Sequence, residues 1–295
     1  MSEHRWSENG YITGMKVTFE RVSTNGIKLH MAFAGPEDGE PVILLHGFPD
    51  AWFGWEPQMQ ALAEAGFRVI APDQRGYNLS DKPKGIANYS LEILAADIAG
   101  LADSLGVKRF NLAGHDFGGL VSWTMAMRYP DRLKRLAILN VPHPSVMRRY
   151  IRKHPAQVLK SWYAFFYQLP VLPEMAMKAN NWRFLISAMA RGLSREQRNL
   201  YREAWAQPDA MKSMINWYRN MLRAPASRPA KRPAITVPTL VIWGKLDPHI
   251  SYEMAQPSAD MCTDGRLVTV EKATHWVMMD APDEVNHLLV EHFRK

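Results

Sequence analysis

Apolar and polar positions fall into two regimes along the chain. In the first, short apolar runs alternate with amphipathic stretches. Lys16–Val22 and Ile27–Ala34 read as strands joined at Thr24-Asn25-Gly26, a turn signal that makes them a hairpin. Pro41–Leu45 (PVILL) is apolar on both sides of its period, as in a strand covered on both faces. Pro57–Ala65 is helical and Arg68–Pro72 is again a strand. Ser90 caps a long helix in which Leu91, Leu94, Ile98, Leu101 and Leu105 recur at helical spacing, and Gly106 closes it. Phe110–Ala113, Phe117–Tyr129 and Arg135–Leu139 read as strand, helix and strand. The same alternation returns near the end, with strands at Thr239–Trp243 and Arg266–Val270 and a terminal helix at Pro282–Phe293.

The second regime lies between. From about Pro144 to Pro233 no strand is evident, and Trp, Tyr, Phe, Met and Arg recur at helical spacing interrupted by prolines. It ends in Arg223–Pro233, a Pro/Ala/basic linker. Alternating strands and helices imply a mostly parallel sheet covered by helices. The expected architecture is therefore an α/β core of residues 1–144 and 234–295, with an all-helical lid of residues 145–233 inserted after the sixth strand. The N-terminal MSEHRWSENG is polar and reads as a loose leader without the apolar stretch of a secretory signal.

Composition narrows the class without changing this picture. The 295 residues are 47% hydrophobic and 22% charged, which suits an ordinary globular chain. No apolar run approaches the ~20 residues of a membrane-spanning helix. A single cysteine, Cys262, excludes an intrachain disulfide and fits a cytoplasmic location. Charge matters through its placement. The net charge is +7, but residues 146–233 carry 17 Lys/Arg against 4 Asp/Glu, or +13, leaving −6 elsewhere. A solvated basic face accounts for this; attraction to anionic membranes or acidic substrates is the sharper alternative. No nucleic-acid-binding signature accompanies the charge.

Gly114-His115-Asp116-Phe117-Gly118-Gly119 follows a strand and opens a helix, the G-x-nucleophile-x-G elbow of the α/β-hydrolase fold. Small residues permit the sharp turn, and the helix N-terminus brings backbone N–H groups beside the central side chain. Aspartate there, in place of serine, selects a different chemistry. A carboxylate attacks saturated carbon and becomes an ester, and water must then attack that ester's carbonyl.

Ester hydrolysis needs an oxyanion hole, a base and an acid that orients the base. His46-Gly47-Phe48-Pro49-Asp50 follows the PVILL strand, so the Phe48 and Phe117 amides are the expected oxyanion donors, with the His46 side chain only packing. The base comes last in chain order, and His275 lies between the final strand and the terminal helix. Asp247 follows the preceding strand; Asn140, at the other position open to an acid, cannot serve. Asp280 and Asp283 stay as weaker candidates.

These motifs, with Asp73-Gln74-Arg75-Gly76-Tyr77 and Leu139-Asn140-Val141-Pro142-His143, resemble those of the soluble epoxide hydrolases over nearly the whole chain beyond the leader. Thr274 replaces the more usual Gly before the histidine. The resemblance implies two lid tyrosines that donate to the epoxide oxygen. Ser161–Gln168 and Asn216–Asn220 match the two lid segments, which makes Tyr163 and Tyr218 those donors, and Trp162, Trp217 and Phe48 substrate-binding. Tyr167 is the alternative in the first segment; Tyr150 and Tyr201 read as packing. The implied reaction turns a small apolar epoxide into a vicinal diol, with no metal or organic cofactor, in a monomer or homodimer.

Two other readings compete. Haloalkane dehalogenases also alkylate an aspartate, but commonly carry Trp after it and Asn or Glu after the oxyanion His-Gly; both positions here are Phe. Fluoroacetate dehalogenases carry Arg after the nucleophile and a His-Trp pair where Trp162-Tyr163 stands. A non-catalytic ligand-binding relative would have no use for a nucleophile with its base and acid.

Overall fold

The computed structural model describes residues 9–12, 15–189, 192–223 and 234–295. Nine strands form one sheet: β1 (Asn9–Ile12), β2 (Met15–Thr24), β3 (Ile27–Ala34), β4 (Glu40–Leu45), β5 (Phe67–Pro72), β6 (Phe110–His115), β7 (Leu133–Leu139), β8 (Thr239–Gly244) and β9 (Gly265–Val270), in the order β1-β2-β3-β5-β4-β6-β7-β8-β9. The first four in that order pair antiparallel, and every pairing from β5 through β9 is parallel. The sheet is thus mostly parallel; β6 and β8 are buried along their whole length and β4 from Val42 to Leu45, as central strands covered on both faces are.

The leader is not wholly without structure. Asn9–Ile12 pairs with β2, so the strand before the lid is the seventh rather than the sixth. Four edge residues carry too little periodicity to announce a strand.

Core helices α1 (Glu56–Glu64), α2 (Leu91–Ser104) and α3 (Phe117–Arg128) lie where the periodicity puts them. Ser90 caps α2, its hydroxyl accepting from the Ile93 amide at 3.4 Å. After β7 come six helices in the lid: α4 (Pro144–Lys153), α5 (Pro155–Lys160), α6 (Trp162–Phe166), α7 (Leu172–Ala188), α8 (Arg195–Ala206) and α9 (Ala210–Arg223). Inside α7, Asn180, Asn181 and Trp182 take positive φ and kink the helix. The linker expected after Arg223 lies outside the described residues. The chain returns to the core through α10 (Ala255–Ala259), α11 (Val277–Asp280) and α12 (Pro282–Arg294).

Two rings of α8 tie lid to core. Trp205 Nε1 donates to the Pro49 carbonyl at 2.5 Å and the Tyr201 hydroxyl donates to Asp50 Oδ1 at 2.8 Å. On α9, Trp217 Nε1 donates to the Arg75 carbonyl at 3.0 Å. Among the described residues no helix is long and apolar enough to cross a membrane.

Candidate active site

Five neighbouring parallel strands each deliver one part of the site from their C-terminal ends. β4 leads to His46–Phe48, β6 to Asp116, β7 to Asn140, β8 to Asp247 and β9 to His275. Ligand sites outside the carboxyl ends of parallel strands are the rule for such sheets.

Asp116 sits at φ 50°, ψ −119°, a region L-residues rarely occupy. The turn is tight because α3 closes directly on β4. A side chain on Gly118 would collide with the Leu45 carbonyl, and one on Gly47 would overlap the Asp116 side chain. Glycine at both positions lets the oxyanion loop and the elbow meet.

There the Phe48 amide donates to Asp116 Oδ1 at 3.0 Å, while His275 Nε2 stands 3.5 Å from Oδ2. His275 Nδ1 faces Asp247 Oδ2 at 2.7 Å. Asp247 is held in turn. Its Oδ1 accepts from the His249 and Ile250 amides at 2.7 and 2.9 Å, and its Oδ2 accepts from Asn140 Nδ2 at 2.8 Å. The weaker acid candidates lie elsewhere: Asp280 accepts from the Thr274 amide at 2.7 Å and Asp283 is exposed on α12. The Phe117 amide opens α3 beside Asp116, where helix N–H groups lack intrahelical acceptors.

The electrostatics follow from a buried histidine between two carboxylates. Burial alone lowers the pKa of His275, but the charges of Asp247 and Asp116 and their hydrogen bonds override it and raise it to about 10. Burial likewise raises Asp116, yet the His275 ring, with help from His115 and the Phe48 amide, holds its carboxyl well below the usual range. Two carboxylates flanking one buried ring thus favour its protonated form.

Two histidines act as fasteners. His115 is buried and pushed down to about 3 by desolvation, so it is neutral; its Nε2–H donates to the His275 carbonyl at 2.8 Å. His46 Nε2 accepts from the Gln74 amide at 3.1 Å and its Nδ1 faces the Gly47 carbonyl at 3.0 Å, which pins the oxyanion loop. The Asn140 and His115 roles were missed from sequence. From sequence Asn140 only fails as an acid; the signal for its role is a polar residue at the end of a central strand.

Above Asp116 the lid supplies aromatics. The Tyr218 ring lies edge-on to Phe48 and Phe117 at 5.2 and 4.6 Å, and 5.9 Å from Tyr163. Burial first, then the Asp116 charge among others, raises both phenols above their ordinary pKa, so both are protonated donors. Tyr167 differs: its hydroxyl contacts Met177 Sδ at 3.7 Å, and only burial raises it.

The two tryptophans expected at the substrate lie in different surroundings. Trp162 is 53% exposed on the outside of the lid, because successive helical residues point about 100° apart and Tyr163 takes the inward direction. Trp217 is fully buried, its N–H committed to Arg75 and its ring edge-on to Tyr77 and Phe117, so it anchors α9. A cleft of about 780 Å³ along Gln168, Val171, Glu174 and Arg219 includes none of the site residues and lies outside this chemistry. No cluster of His, Cys, Asp and Glu among the described residues could hold a metal ion.

Comparison with known proteins places this arrangement in a family. The alpha/beta hydrolase fold profile matches residues 40–282. Human epoxide hydrolase 4 is 37% identical over 283 residues, covering 92% of this chain and 77% of that protein. This chain belongs to the epoxide hydrolase family of α/β hydrolases. Another member of the fold, AB hydrolase superfamily protein YfhM of Bacillus subtilis, is 43% identical across 95% of this chain and 99% of that one. The crystal structure of Bacillus megaterium epoxide hydrolase in complex with an inhibitor superimposes with a TM-score of 0.86 at 29% identity, covering 94% of this epoxide hydrolase relative and 100% of that chain.

Proposed function

We propose that this protein hydrolyses small apolar epoxides to vicinal diols through a covalent ester on Asp116. The observation that carries the reading is one carboxylate set between an amide and a histidine beneath two protonated phenols, Tyr218 buried and Tyr163 half-buried. The reaction named for its relatives, human epoxide hydrolase 4 and Bacillus megaterium epoxide hydrolase among them, supports it.

The epoxide oxygen accepts from Tyr163 and Tyr218. An Asp116 oxygen attacks a ring carbon, the C–O bond breaks, and a phenol proton passes to the departing oxygen. The phenols matter because an alkoxide is a poor leaving group without a donor. Asp116 is now a neutral ester, and His275 has lost one of the two charges that held its proton. The proton it sheds passes to the phenolate, so the tyrosine is restored and the proton on the ring oxygen is accounted for.

Neutral His275, oriented by Asp247, then takes a proton from water. That water attacks the Asp116 carbonyl carbon, with the Phe48 and Phe117 amides holding the oxyanion. Collapse breaks the ester C–O bond, His275 returns the proton, and the diol leaves. Phe48, Phe117, Tyr163, Tyr167 and Tyr218 make an aromatic surround suited to an apolar substrate.

Dehalogenation is less well supported, because a halide needs side-chain N–H donors. The indoles of Trp205, Trp217 and Trp276 are committed to the backbone carbonyls of Pro49, Arg75 and Ala188.

The test is to stop the cycle halfway. His275→Ala is incubated with an aryl epoxide, quenched in acid and digested. The peptide carrying Asp116 should gain the mass of the epoxide. Full turnover by this variant with no adduct would overturn the mechanism.

A further inference from the structure

We propose that the outer face of the lid, from α5 through the first half of α7, docks on an anionic lipid bilayer. Leu159, Trp162, Phe165, Leu169, Leu172 and Met175 are all exposed and fall within one short run of chain that spans α5, α6, the turn after it and the start of α7. The exposure is large: 75% for Leu159, 54% for Phe165 and 63% for Met175. Among the described residues, every exposed large apolar side chain except Leu246 belongs to the lid. Apolar residues scattered singly over a surface need no explanation, but six of them exposed within one short lid segment point to a surface that is covered in use.

Charge indicates what covers it. Lys160 and Lys178 are exposed within this stretch, and Arg152 and Lys153 at the end of α4 and Arg183 beyond the α7 kink are exposed on either side of it. Its one acid, Glu174, is paired with Arg219 at 2.7 Å. Residues 146–233 carry +13 in all, so two such lids placed face to face would repel each other. Apolar and aromatic side chains flanked by Lys and Arg match the interface of a bilayer with negatively charged headgroups, where the rings enter the headgroup boundary and the cations meet phosphate.

This segment lies directly outside the site. In α6, Tyr163 turns inward while Trp162 and Phe165 turn outward. A docked lid sets the phenols about one helix diameter, roughly 10 Å, from the acyl region in which apolar molecules concentrate. The docking does not depend on the proposed reaction, because it is read without turnover.

The full chain is floated with vesicles of phosphatidylcholine alone and of phosphatidylcholine rich in phosphatidylglycerol. It should rise with the anionic vesicles, stay behind with the neutral ones, and be released by salt. Two variants separate the apolar and charged contributions. Leu159→Ser with Phe165→Ser and Met175→Ser, and Arg152→Glu with Lys153→Glu, should each weaken binding at least about tenfold with an unchanged melting midpoint. No flotation with anionic vesicles, or variants that float like the parent, would overturn the proposal. A stable dimer in light scattering that the serine variant dissociates would assign the face to a second copy instead.

Discussion

Replacing Asp116 with Asn removes one charge and almost no volume, and so imitates the ester at the moment it forms. The charge removed stands 3.5 Å from His275 Nε2. At an effective dielectric of about 20 such a pair is worth about 5 kcal/mol, and at the screening of bulk water about 1 kcal/mol. The His275 proton is therefore held less tightly by between about 1 and 3.5 pH units. Starting from about 10, this places the imidazole between about 9 and about 6.5, and only the larger shifts leave it neutral near pH 7. In the proposed reaction, alkylation thus pushes His275 from acid toward base. Nitrogen-15 NMR of histidine-labelled protein reads this directly. The parent's His275 should stay protonated past pH 9, and the Asp116→Asn protein should titrate lower by the stated interval. Identical titrations in the two proteins, or a parent His275 that titrates near pH 6.5, would refute the reasoning.

Three further outcomes are expected. Tyr163→Phe and Tyr218→Phe should each slow ester formation about 100-fold in single-turnover kinetics, the cost of one donor to a developing oxyanion, while Tyr167→Phe, whose hydroxyl is turned to Met177, stays within about twofold. Asn140→Ala should slow ester hydrolysis about 10- to 100-fold and leave ester formation nearly unchanged, since it removes one hydrogen bond from the charged Asp247, worth about 1.5–3 kcal/mol. The third concerns Asp50, raised to about 7 by burial and left with Oδ2 unpartnered. The folded state holds this proton at a pH where the unfolded chain has released it, so the stabilisation is complete at low pH and is lost as pH rises through 7. Asp50→Asn should remove up to about 4 kcal/mol of that dependence, read as thermal midpoints that converge at low pH and separate above 7 in the variant's favour.

The core and the elbow were legible because few other sequences serve there. A strand covered on both faces must be apolar throughout, as PVILL is, and a strand-to-helix turn that admits the close approach of β4 must carry glycine on both sides of its central residue. Chain order then pointed to Asp247 and His275, which the structure brings to within 2.7 Å of each other. What stayed hidden was either too short or too long-range. The four residues of β1 carry no period, and the kink at Asn180–Trp182 breaks a helix that no proline marks. Tyr201 reads as lid packing, yet it and Trp205 reach 151 and 156 residues back to Asp50 and Pro49. Trp162 and Tyr163 are equally aromatic, and only the direction of α6 tells outside from inside.

In the proposed reaction water attacks the Asp116 carbonyl rather than the substrate. One turnover in heavy-oxygen water with enzyme in excess over an aryl epoxide decides it, with mass spectrometry of the peptide that carries Asp116 and of the diol. The account predicts label in the Asp116 carboxylate and an unlabelled first diol. Label in that diol, with none in Asp116, would contradict it.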